Sequence, residues 1–225
     1  MPTILPDIEP VSQLTHATPF DGAEWSFEPK YDGIRGLLYS SAAGCEIRCR
    51  HEPRGERFAD LRRRVSQVLA GRVVILDGQI VGLDRAGKPA MRDLLRARGR
   101  LAFAAFDLLW LDGDDLRALP LADRKQRLAD LLPADTAPLY KVFTLHEHGH
   151  ALHQAATRLE LEGTVAKRNG DPYASDTVWY LIRNPAYSVT DTGKLDPSGW
   201  SSRVSTRRRR SGAQRRTRGP DLRTS

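Results

Sequence analysis

The sequence predicts an α+β domain with mainly antiparallel sheets flanked by helices. Two patterns carry this expectation. Short runs of alternating or β-branched apolar residues recur with hairpin spacing, and only a few segments have the apolar period of a helix. A third observation bounds it: of 225 residues 40% are hydrophobic, enough for a core, yet no run is long enough to span a bilayer.

Taken in order, residues 1–20 read as an extended lead-in, and strands are expected at 25–30, 34–39 and 45–50. Phe58, Leu61, Val65, Val68 and Leu69 recur at helical spacing and predict a helix over 56–70. A β-branched strand follows at 73–83, then a short helix at 91–98 and a buried strand at 101–110. Asp112-Gly113-Asp114-Asp115 is a turn signal. Amphipathic helices at 121–132 and 147–159 flank a strand at 140–143, and two last strands fall at 163–167 and 178–183. Domain boundaries follow: lead-in 1–19, folded domain 20–187, tail 188–225. The tail is rich in Ser, Thr, Gly and Arg with few apolar residues, so disorder is expected there.

The chain carries +7, and the tail accounts for all of it. Residues 188–225 hold ten basic residues, Arg207 to Arg210 among them, against Asp191, Asp196 and Asp221. The body is neutral and gives no bulk-charge argument for binding nucleic acid. Cys45 and Cys49 lie on one expected strand, roughly 13 Å apart, too far for a disulfide, so both are expected reduced. The amino terminus lacks the basic-then-apolar pattern of a signal peptide, and a cytoplasmic location is expected.

The most informative segment is Lys30-Tyr31-Asp32-Gly33-Ile34-Arg35, between two expected strands. A lysine held at a strand end by a glycine turn can be aimed into a cleft. Desolvated there, it can lose its proton and act as a nucleophile. The alternative reading of these six residues alone is a surface hairpin with ordinary charges.

Further segments follow in a fixed order: Cys49-Arg50-His51, Ile75-Leu76-Asp77-Gly78-Gln79-Ile80-Val81, the run Phe106-Asp107-Leu108-Leu109-Trp110-Leu111-Asp112-Gly113, Glu162-Gly163-Thr164-Val165-Ala166-Lys167-Arg168, and Trp179-Tyr180-Leu181-Ile182-Arg183-Asn184-Pro185. This succession resembles the nucleotidyltransferase (adenylation) domain of ATP-dependent DNA ligases, nearest the bacterial end-joining type, over about Phe20 to Tyr187. The resemblance implies the ligase-type, ATP-grasp-like fold. It implies that Lys30 attacks the α-phosphate of ATP and holds AMP, that Glu28 reads the adenine edge, and that Phe106 stacks on the ring. Arg35 and Arg50 would hold sugar and phosphate, Arg183 would add a phosphate contact, and Asp32 and Glu162 would help hold Mg²⁺ or Mn²⁺. Lys30, Asp32 and Arg35 are thus the expected catalytic residues. AMP would pass to a 5′-phosphate at a nick or break in double-stranded DNA, in repair or recombination, beside other end-joining proteins.

Three departures qualify the resemblance. Gln79 stands where the family has Glu, and Leu181 and Arg183 stand where it has two lysines. Leucine cannot donate to a phosphate. No OB-fold pattern follows Tyr187; the Arg-rich tail in its place reads either as a salt-dependent DNA contact or as the product of truncation. A catalytically degenerate nucleotide- or DNA-binding remnant is therefore the rival reading, and an RNA ligase or capping-type guanylyltransferase a third. His146, His148, His150 and His153 could suggest zinc, but the helix-start pattern favours a solvated face.

Overall fold

Side chains alternate along each strand, and two facing sheets use that alternation to make four layers, helix–sheet–sheet–helix. The structure is a computed structural model; it describes residues 5–49, 58–85, 87, 89, 94, 100–133 and 137–187. The first sheet runs in the order β1 (Gln13–His16), β11 (Val178–Arg183), β10 (Gly163–Arg168), β2 (Gly22–Lys30), β9 (Leu145–Glu147). The second runs β4 (Gly44–Cys49), β3 (Ile34–Ser41), β5 (Val74–Leu83), β6 (Arg100–Leu111), β7 (Asp114–Asp115), with β8 (Leu139–Lys141) also beside β6. The pairings are antiparallel except β1 with β11 and β6 with β8, so the expected α+β class with mainly antiparallel sheets holds.

The helices are α1 (Ala59–Leu69), α2 (Leu121–Leu131) and α3 (Gly149–Arg158). Outside the first sheet, Leu152 and Ala156 of α3 pack on Trp25, Phe27, Ala166 and Ile182. Outside the second, Leu61, Val65 and Leu69 of α1 and Leu128 of α2 pack on Leu38, Leu76, Ile80, Phe103 and Leu108. The residues one step along each strand point inward instead. Leu37, Tyr39, Ile75 and Leu109 meet Val165, Trp179 and Leu181 between the sheets.

Several elements differ from the sequence expectation. The stretch expected as an extended lead-in buries Ile8 and Val11 and supplies β1, which pairs with β11 from Gln13↔Val178 to His16↔Leu181. Residues 145–147, beside the expected helix start, form β9 against β2, and α3 begins two residues later than the pattern suggested. Three residues are too few to show a period. Asp112-Gly113 is the two-residue turn of the β6–β7 hairpin, with φ of 47° and 113°, both positive as a tight hairpin turn requires. Cys45 and Cys49 are not joined in a disulfide. The helix expected at 91–98, except Leu94, falls outside the described residues, as do Arg50 and the tail 188–225. No described helix is long and apolar enough to cross a membrane.

Candidate active site

Cross-strand register explains why distant sequence segments meet. Lys30 on β2 pairs with Gly163 on β10, and Gly163 pairs with Arg183 on β11. Residues directly opposite share a face, so these three form one row. Two positions along, Glu28, Val165 and Leu181 form the next. Gly163 lets the first row close: its φ is +152°, and a Cβ there would stand 2.2 Å from the Ile182 carbonyl oxygen. Gly33, after Lys30, allows a similar approach, since a Cβ would meet the Ile80 carbonyl oxygen at 2.5 Å.

At the open end, the Lys30 ammonium donates to Glu162 Oε2 at 2.9 Å and to the Tyr31 carbonyl at 3.0 Å. Both side chains of this pair remain about a quarter exposed, at 22% and 24%. Beside it, Tyr187 donates its hydroxyl to Asp32 Oδ2 at 2.9 Å. Burial, together with Glu162, pushes the Asp32 carboxyl above its usual range, against the opposing Tyr187 hydrogen bond and the Lys30 charge. A carboxylate whose proton affinity is raised by burial and by a second carboxylate nearby is a site that a cation would relieve.

Deeper between the sheets, the arrangement closes. Arg35 donates Nε to Asp77 Oδ1 (3.1 Å), Nη2 to Asp77 Oδ2 (2.7 Å) and Nη1 to the Val11 carbonyl (2.6 Å). Asp77 is fully buried and also accepts from the Tyr173 hydroxyl at 2.7 Å. Three of the five Arg35 donors are therefore engaged inside the protein, and the guanidinium lies 4.9 Å from the centre of the Trp179 ring. Despite burial, the Asp77 charge holds Arg35 firmly protonated. Phe106 is half-buried at this seam, edge-on to Trp179.

Glu28 lies on the same floor and is 3% exposed. Lys167 Nζ donates to its Oε2 at 2.9 Å, and the Lys125 ammonium contacts its Oε1. The Lys167 ammonium also sits 4.2 Å from the Phe106 ring centre and 4.1 Å from that of Trp179, within cation–π range. Burial would raise the Glu28 pKa, but the two lysines outweigh it and hold the carboxyl below its ordinary range.

Most of the sequence-derived site residues thus converge. Glu28, Lys30, Asp32, Arg35, Phe106 and Glu162 gather on or between the facing sheets; Arg183 is exposed at the end of β11 in the Lys30 row. Arg50 lies outside the described residues. Leu181 is 3% exposed in the apolar cluster between the sheets, in the row of Glu28. Among the histidines, His146 bonds Ser26 from β9 while His150 contacts Asp21 from α3; no described group of three or more His, Cys, Asp or Glu could hold a metal.

Sequence reasoning assigned no role to Lys125, Tyr173 or Tyr187. Lys125 stands in Asp123-Arg124-Lys125-Gln126-Arg127, a run that reads as a solvated helix face. Lys167 left a signal: a lysine in step with Gly163 and Val165 points its ammonium to the face of the site.

Comparison with known proteins identifies the family. The family described as ATP dependent DNA ligase domain matches residues 9–181. The multifunctional non-homologous end joining protein LigD of Mycolicibacterium smegmatis is 32% identical over 71% of this chain and 22% of its own length. The LigD of Pseudomonas aeruginosa is 34% identical over 68% of this chain and 19% of its own. The chain thus spans about a fifth of these curated relatives. Among solved structures, a mycobacterial DNA ligase D complexed with ATP and MES superposes with a TM-score of 0.67 at 27% identity, covering 77% of this chain and 60% of that one. A Chlorella virus DNA ligase-adenylate, at 15% identity and TM-score 0.53, shares the fold.

Proposed function

Because the chain belongs to the ATP-dependent DNA ligase domain family, we propose that it performs the adenylation chemistry of such a ligase, with Lys30 as the nucleophile. The single observation that carries this reading is the partly exposed Lys30–Glu162 pair beside Asp32, on the face that also holds Glu28 and Phe106. ATP is the substrate. Lys30 Nζ, once deprotonated, attacks the α-phosphorus; the P–N bond forms as the P–O bond to the β-phosphate breaks, and pyrophosphate leaves. Glu162, 2.9 Å from Nζ, is within reach to accept the amine proton. Phe106 offers an aromatic ring to stack on the adenine, and Glu28 an acceptor for its amino group.

The donor set near Lys30 fits a divalent cation. Asp32 and Glu162 supply hard oxygen ligands, and Mg²⁺ or Mn²⁺ bound with one or two carboxylates completes its shell from phosphates and water. Such an ion would supply charge neutralisation on the phosphates. Arg35 acts here mainly by fixing Asp77 and the seam between the sheets, with its two remaining N–H groups available to the nucleotide. Arg183 and Arg50 are proposed as phosphate contacts. The second half of the reaction delivers AMP to a 5′-phosphate of nicked or broken double-stranded DNA, with the Arg-rich tail as a salt-dependent phosphate contact. We place this work in the cytoplasm, in end joining or a related repair process with other repair proteins.

The test is incubation with labelled ATP and Mg²⁺. The wild-type chain is expected to retain label through denaturation, and Lys30→Ala is not. Absence of label from the wild type over long incubation would overturn the reading. One observation favours a rival, a nucleotide- or DNA-binding remnant without turnover: Leu181 puts a buried hydrocarbon where a phosphate-binding lysine is expected.

A further inference from the structure

We infer that Lys125, on α2, is a positioning residue that fixes Glu28 as the adenine-selecting acceptor of the site; this rests on the reading of Glu28 as facing the base. The observation is an imbalance of charge. Arg124 is matched by Asp107, Arg35 by Asp77 and Lys30 by Glu162. Glu28 instead receives two ammonium groups, Lys125 from α2 and Lys167 from β10, whose side chains are 9% and 2% exposed. One lysine would neutralise the carboxylate. The second takes the other oxygen and fixes the plane of the group.

The path that delivers Lys125 to Glu28 is built into the fold. The first turn of α2 is tied to the segment after β10, with Leu121 N donating to the Asp171 carbonyl and Ala122 N to the Asn169 carbonyl, both at 3.0 Å. Arg124 then locks the helix to β6 through Asp107, at 2.8 and 3.0 Å, in a pair that is almost fully buried. Lys125, the next residue, is directed across to Glu28 on β2, and Thr144 Oγ1, just before β9, accepts a further hydrogen bond from it at 3.3 Å. A solvated helix lysine has no such framework.

The consequence is chemical. A carboxylate with Lys167 donating to one oxygen and the Lys125 ammonium set against the other still has lone pairs for an N–H donor, and cannot itself donate. It therefore accepts from the amino group of adenine and repels the carbonyl oxygen of guanine. Burial pulls its proton affinity the other way, and among the described residues Tyr31 and Asp107 are further titratable groups that act on the cluster. Without Lys125 the carboxyl gains a proton more readily, and a protonated Glu28 can donate to guanine. Selectivity then falls, and falls further as pH decreases.

The test measures equilibrium binding of ATP and of GTP to the full chain without divalent cation, so that it is read apart from Lys30 chemistry, across pH 5 to about 8. The wild type is expected to prefer ATP. Lys125→Met is expected to lose roughly ten- to a hundredfold of that preference, the range of one charge-assisted hydrogen bond, with a greater loss at the acidic end that a merely structural role would not produce. Glu28→Gln should lose a similar amount, and the double variant no more than Glu28→Gln alone. Because the double variant also removes the buried carboxylate, it reports even if Lys125→Met does not fold. A wild-type ATP preference retained in Lys125→Met, or additive losses in the double variant, would overturn the inference. Failure of the adenylation reading shows separately, as absence of label from ATP with Mg²⁺.

Discussion

Two lysine–carboxylate clusters on the same face of one sheet make opposite uses of the same groups. Lys30 and Glu162 pair at the open end, each about a quarter exposed. Lys125 and Lys167 enclose Glu28 two positions along the strand, all within 9% exposure. A pair open to solvent can exchange its partner for a substrate phosphate at small cost, since exposed ion pairs contribute little. A buried cluster cannot, because each charge left alone costs several kcal/mol. The open pair is therefore suited to chemistry, and the closed one to holding an acceptor still.

Ways to break this contrast follow in order of size. The largest effect should come from Lys30→Ala, with complete loss of covalent labelling and little change in melting temperature, read by labelled ATP and thermal denaturation. Next is Arg124→Met, which leaves Asp107 buried without its partner; denaturant unfolding should record a loss of about 3–5 kcal/mol. Leu181→Lys places an ammonium in an apolar cluster containing Leu37, Tyr39 and Val165. A destabilisation of roughly 2–4 kcal/mol with no gain in labelling is expected. Gain of labelling would show instead that the cluster yields to the phosphate.

Glu28 gives a pH-dependent effect of smaller size. Its folded-state pKa lies below the ordinary value of 4.5 because of the two lysines, so its stabilising contribution is present above that value. It is lost as pH falls through the folded-state pKa. Unfolding free energy should decline more steeply in acid for the wild type than for Glu28→Gln. The smallest effect is expected from Arg63→Ala, which removes a pair with Asp60 that is 61% and 68% exposed; the change should stay within about 1 kcal/mol.

Much of this contrast was legible in the sequence, and the missing part has a physical reason. Lys30, Asp32, Phe106 and Glu162 stand in the ordered series of motifs that carries the family resemblance, so their convergence was expected from that resemblance. β2, β3, β5 and β6 announced themselves by long apolar or β-branched runs. β1 and β9 did not, because four exposed residues and a three-residue strand carry no period; partners on β11 and β2 define them. Lys125 was illegible for a related reason. Its burial comes from the tie between α2 and the segment after β10, a contact between residues nearly fifty positions apart. Arg35 was read as a ligand for sugar and phosphate, whereas its donors turn first to Asp77 and Val11, a buried acceptor and a carbonyl that no local pattern reveals.

The central claim, that the open lysine is the nucleophile and the closed lysines are not, is tested most directly by peptide mapping of the chain after reaction with ATP and Mg²⁺. The account predicts an adenylyl group on the peptide that contains Lys30 and on none that contains Lys125 or Lys167. An adduct on Lys167 or Lys125, or none on Lys30, would contradict it.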